Sequence, residues 1–124
     1  MFNIQQRKSL SLFTGILGST TIALGALGAH GFNEYLTSID GMASYKVATL
    51  YGLIHSVALL AVQDKKEFFV SGMLWFIGTV LFSGSILLLL ADQAWGLDLS
   101  FLAPVTPLGG VVMILGWVRL IFRR

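Results

Sequence analysis

Few side chains of this 124-residue chain can do chemistry, and those that can lie in or beside long apolar runs. His55 stands inside one of them, where an ionisable ring is expected either to serve a function or to be held by hydrogen bonds. At about 1.5 Å per helical residue it lies about 13 Å below Lys46, which marks the start of its run. Ser83 and Ser85, counted back from Asp92, fall about 10–14 Å deep, and Thr21, counted back from Ala29, falls near that level. Tyr51 is one helical turn from His55. Thr21, Tyr51, His55, Ser83 and Ser85 therefore form a candidate polar layer. Its sharper reading is a proton relay or small-solute pathway. The plainer one is a neutral His55 bonded to a hydroxyl or carbonyl and holding helices together. No carboxylate inside the runs can pair with His55, which favours the plainer reading.

His30 and Asp92 form a second candidate set, at the outer ends of two runs. A histidine with a carboxylate, Asp92 or Glu34, is the beginning of a metal or anion site, but two groups do not complete one. His30 is better explained as closing a helix, with Gly31 supplying a permissive backbone and a cation meeting the helix dipole. His30 and His55 cannot clamp one haem, because their depths differ by about 13 Å. The chain has no cysteine, so disulfides, thiolate zinc sites and cysteine nucleophiles are excluded. No Ser-His-acid set falls at one depth, and the glycine-rich stretch 25–31 lacks the lysine of a phosphate loop. Serines such as Ser83 and Ser85 often bond back to their own helix. The residues point to no enzyme, no cofactor and no metal site. A net charge of +2 with Lys and Arg mostly in pairs gives no nucleic-acid footprint, despite a pI near 9.2.

The elements that carry these residues are set by composition. Apolar residues make up 56% of the chain and charged residues 11%, against about 25% in a soluble domain. A chain this short cannot hide so much apolar surface inside itself, so lipid must be its solvent. A helical span needs about 20 apolar residues, and four runs qualify, at about 9–30, 43–62, 68–91 and 105–122. The expected fold is all-α: one polytopic domain, a compact bundle of four transmembrane helices. Arg7–Lys8 before an apolar stretch resembles a signal peptide, but the stretch exceeds the usual length, so an uncleaved helix is expected. Arg7, Lys8, Lys65, Lys66, Arg119, Arg123 and Arg124 fall on one side of four spans, and Lys46 alone falls on the other. That bias places both termini in the cytoplasm.

Between the first two runs, Phe32, Tyr35, Leu36 and Ile39 share a helical face, predicting a short amphipathic helix on the outer surface that ends at Gly41. Residues 93–103 read as a loop dipping into the interface, with Trp95 and Tyr45 suited to the headgroup belt. Thr106 is the expected N-cap of the last helix, with Pro107 in its first turn. Helices in lipid associate through close packing and hydrogen bonds. Ser11, Thr14, Gly18, Thr21, Gly25 and Gly28 form a small-residue seam on the first helix. Ser71, Gly78 and Ser85 repeat the idea on the third, and Gly109 and Gly116 on the fourth. The seams predict a bundle with the first helix central. A seam that faces outward would instead join a homo-oligomer or a larger membrane complex.

Four strings, taken together, resemble the family called domain of unknown function 423. They are Gly25 to Gly31 with His30, Tyr51 with His55, Leu81 to Ser85, and Thr106 to Gly110 followed by Gly116 and Trp117. The resemblance covers nearly the whole chain and implies a four-helix inner-membrane protein. It implies no activity. The chain departs from the family pattern at Gly52, where the family tends to carry Gln, and at Ile54, where it often carries an aromatic residue.

Overall fold

A computed structural model describes residues 3–122; Arg123 and Arg124, counted in the charge asymmetry, lie outside them. Five α-helices follow in order: α1 (Ile4–Ala29), α2 (Asn33–Ser38), α3 (Met42–Val62), α4 (Phe69–Trp95) and α5 (Val105–Ile121). Single turns of 3-10 helix precede α4, at Lys66–Phe68, and α5, at Ser100–Leu102. No strand occurs among the described residues. Four of the helices are long and apolar enough to cross a membrane, so the chain is an all-α, four-span membrane protein.

The central helix is α4, not α1. It packs against α3 on one side and α5 on the other, whereas α1 lies chiefly on α3 and only touches α4. The cause is the distribution of small residues. Toward α1 and α3, α4 offers Gly72, where a Cβ would come 3.0 Å from Leu10 and 3.3 Å from Leu59. Toward α5 it offers Gly78, where a Cβ would meet the Met113 backbone nitrogen at 2.7 Å and the Gly109 carbonyl at 2.8 Å. Gly109 in turn lies against the Phe82 nitrogen and the Gly78 carbonyl, and Gly116 lies under the Trp75 ring. Ser71, Gly78, Gly109 and Gly116 are all buried along this contact.

The seam of α1 divides into two rows. Thr21 and Gly28 are buried and Thr14 is half-buried, but Ser11 and Gly25 are exposed, and Gly18 sits at the edge with Ser56 Oγ 3.6 Å from its Cβ position. Alternating steps of three and four residues place Thr14, Thr21 and Gly28 on one line and Ser11, Gly18 and Gly25 on a neighbouring one. Leu10, fully buried, belongs to the inward line. The inward line meets Gly52 and Tyr45 of α3.

At the opposite end of the bundle from Arg7, α2 closes the core. Leu36 is buried with Tyr45 and Leu90, and Tyr35 donates its hydroxyl to the Leu90 carbonyl at 2.6 Å. Phe32 borders the same apolar hollow as Tyr35, Leu36 and Leu90 but stays exposed. Asp40, at φ 54°, takes the left-handed turn after α2, while Gly41 has an ordinary φ of −96°. Gly41 is needed for proximity instead, since a Cβ there would lie 2.7 Å from Leu90. Tyr45 is buried with its hydroxyl on the Leu24 carbonyl, so it is no headgroup-belt residue, whereas Trp95 is exposed. α4 runs on to Trp95, beyond the expected 91, and stops at left-handed Gly96. α5 starts at Val105 behind Pro104, so Thr106 is not its N-cap.

Where backbone meets backbone, a methyl group has nowhere to go, and overpacking costs about 1–3 kcal/mol or more. Gly109→Ala is therefore expected to lower the unfolding midpoint in detergent sharply. Gly84→Ala, with nothing within 4 Å of the new carbon, should leave it unchanged. Circular dichroism during titration with a denaturing detergent measures both.

Candidate functional site

His55 is 3% exposed and faces the crevice between α3 and α5. Its ring is fixed at both nitrogens. Nδ1 lies 2.8 Å from the Tyr51 carbonyl, one turn earlier on α3, and a carbonyl can only accept. Nε2 lies 3.1 Å from the Trp117 indole nitrogen, which can only donate. The pair of partners selects the neutral ring with its proton on Nδ1. A second proton, on Nε2, would confront the indole N–H. His55 thus acts as a strap from α3 to α5, two helices that flank α4. Among the described residues no acidic side chain lies within ion-pairing distance of it.

Aromatic rings extend this strap in both directions. Trp117 packs on Trp75 with ring centres 4.4 Å apart, and Tyr51 packs on Phe82 at 4.9 Å. Trp75 is almost fully buried and lies against Gly116, which is why α5 needs glycine there. Its indole N–H, like the Ser71 hydroxyl one turn away, has no protein partner. Tyr51 and Trp117 keep one face toward lipid.

The other members of the expected polar layer do not meet His55. Ser83 donates to the Ala48 carbonyl of α3 at 2.7 Å. Ser85 pairs with the Thr106 hydroxyl of α5 at 2.6 Å and also donates to the Phe82 carbonyl at 3.0 Å. Thr21 donates back to the Leu17 carbonyl, and its methyl group fills the space above Gly52. The layer is in fact several separate interhelical contacts. Any side chain at position 52 would strike Thr21, which accounts physically for the glycine there.

His30 and Asp92 are not paired. His30 is exposed, with its backbone N–H on the Ala26 carbonyl at 3.1 Å, and Gly31 does not adopt the left-handed backbone expected of it. Asp92 shapes the connection to α5 by accepting from the Leu99 N–H at 3.1 Å. No group of three or more metal-ligating side chains occurs among the described residues. Sequence reasoning missed Trp117 and Trp75. A usable signal was present: an indole N–H inside an apolar helix needs an acceptor, and the imidazole of His55 is one of the few side-chain acceptors within these spans.

Residues 24–110 match the family described as a protein of unknown function, DUF423. The chain belongs to this family. The match contains His30, Tyr51, His55 and the 81–85 string, in keeping with the resemblance read from the motifs, and it stops short of Trp117. Among curated relatives, a UPF0382 membrane protein of Schizosaccharomyces pombe is 33% identical over 91% of this chain and 96% of its own length. A UPF0382 membrane protein of Haemophilus influenzae is 30% identical over 94% and 93%. The UPF0382 inner membrane protein YgdD of Escherichia coli K12 is 31% identical over 89% and 84%. No solved structure matches significantly. The chain is thus an integral membrane protein of a family with no assigned activity.

Interhelical hydrogen bonds in membranes are worth on average under about 1 kcal/mol. A double-mutant cycle with His55→Phe and Trp117→Phe is expected to give a coupling of about 0.5–1.5 kcal/mol in bundle stability. Trp117→Phe alone should cost more than the coupling, because it leaves the His55 Nε2 buried without a donor. Additive single effects would show that the strap carries no energy.

Proposed function

We propose that this chain is a non-enzymatic assembly element of the bacterial inner membrane, multi-pass with both termini in the cytoplasm, that pairs with a second copy of itself through the outward face of α1. One observation carries the pairing. Gly52, Gly78, Gly109 and Gly116 all lie where another helix leaves no room for a side chain. Gly15, in contrast, has nothing within 4 Å. It lies between exposed Ser11 and Ser19, four residues to either side, with Leu12 and Ile16 as flanking ridges. Small residues four apart let two helix backbones approach closely in lipid. A larger membrane complex offering such a helix would use the same face.

The orientation rests on charge. Arg7, Lys8, Lys65, Lys66 and Arg119 gather at one end of the bundle, where Arg7 pairs with Asp64. Lys46 shares the other end with Glu34, Asp40, Asp92 and Asp98. The basic end faces the cytoplasm under the positive-inside rule, and the inner-membrane setting agrees with the name of the E. coli relative. The alternative, a proton or small-solute pathway through Thr21, Tyr51, His55, Ser83 and Ser85, is weakened by the commitment of the polar side-chain groups of Thr21, His55, Ser83 and Ser85 to separate partners.

Native mass spectrometry of the chain extracted from membranes tests the pairing. Wild type is expected as a dimer, and Gly15→Leu is expected to weaken dimerisation at least about tenfold, about 1.4 kcal/mol. A monomeric wild type without a co-purifying partner sinks the proposal. For orientation, a C-terminal alkaline phosphatase fusion should be inactive and a C-terminal fluorescent protein fusion bright; the reverse pattern overturns the topology.

A further inference from the structure

At the α2 end of the bundle a cavity of about 350 Å³ opens between α1, α2 and α3. Its floor includes Gly25 and Gly28 of α1, and its rim carries Asn33 and Thr37 of α2 with Lys46 of α3. Among the described residues Lys46 is the only Lys or Arg at this end, beside four carboxylates. None of them holds it: the one ion pair among the described residues, Arg7–Asp64, lies at the opposite end. Lys46 stands one helical turn inside the start of α3, at headgroup depth for a spanning helix. Below it the floor is uncharged. Nothing lies within 4 Å of a Cβ at Gly25, so the α1 surface is open there, at the end of the cavity farther from α2.

A free cation above an uncharged trough fits one kind of molecule, an amphiphile with an anionic head. A soluble anion would use Lys46 and leave the trough without a purpose. We propose that this cavity binds an anionic phospholipid, with the Lys46 ammonium on the headgroup phosphate and the upper part of an acyl chain over Gly25, beside the Tyr45 ring that covers Gly28. Asn33 and Thr37 offer polar side chains at the rim for the rest of the headgroup. The Thr37 hydroxyl donates to the Asn33 carbonyl at 2.8 Å, leaving its oxygen free to accept. This site is separate from the Gly15 face proposed for pairing, so the two proposals can fail independently.

The test is native mass spectrometry of the full chain from bilayer nanodiscs holding equal amounts of phosphatidylglycerol and phosphatidylcholine. Wild type is expected to retain phosphatidylglycerol preferentially. Lys46→Gln should cut that preference about fivefold, the equivalent of about 1 kcal/mol for one cation near a membrane surface. Gly25→Leu places a side chain in open space, so the bundle should stay folded by circular dichroism while retention of both lipids falls. Gly15→Leu should leave lipid retention unchanged. The proposal is overturned if Lys46→Gln keeps the wild-type preference, or if the preference disappears only with Lys65→Gln and Lys66→Gln at the other end. Displacement of the lipid by millimolar inorganic phosphate would overturn it too, by showing a free-anion site.

Discussion

The fold depends on how closely α4 and α5 approach. Lipid tails are as apolar as leucine, so burial gives these helices no reason to leave the bilayer for one another. What remains is dispersion between surfaces in contact, which is large only when many atoms meet. Gly78 and Gly109 allow this by removing the side chains between two backbones, and Gly116 does the same for the Trp75 ring. The other helices are placed by this contact. α3 occupies the remaining small-residue flank of α4, and α1 follows α3, to which it is joined by a short connection through α2.

Hydrogen bonds then fix the rotation of each helix. Most polar side chains inside the bundle end on a carbonyl or on another side chain: Ser83 on Ala48, Ser85 on Thr106, Tyr35 on Leu90, Tyr45 on Leu24, His55 on Trp117. Each is weak, but each is satisfied only at one azimuth. The result is a set of pairwise fasteners distributed along the helices, with no continuous polar path joining them.

The spans were legible in the sequence because lipid imposes a length and a composition that few other constraints mimic. The candidate layer was not, because depth was counted without rotation. Ser83 and Ser85 lie at nearly one depth, yet two helical residues are about 200° apart in azimuth. One therefore turns to α3 and the other to α5. Rotation also explains the seam of α1, where only the Thr14, Thr21 and Gly28 row faces in. Tyr45 misled for a related reason. A tyrosine near a helix end fits the headgroup belt by position, but the bare surface of Gly28 gives its ring a buried place. The helix ends before Gly41 as the pattern implied, but Asp40 makes the left-handed turn, and what glycine supplies at position 41 is room for Leu90.

The central place of α4 also bears on biogenesis. Chains enter the membrane from the N-terminus, so α1 and α3 can settle together while α4 still lacks its last neighbour. Until Gly109 leaves the ribosome, the glycine-lined flank of α4 meets only lipid tails, which cannot mould themselves to it as a helix does. A nascent chain stalled or truncated before α5 would display that unfilled flank for as long as it survived. Quality-control proteases of the membrane would have a clear mark by which to tell an unfinished product from a finished one.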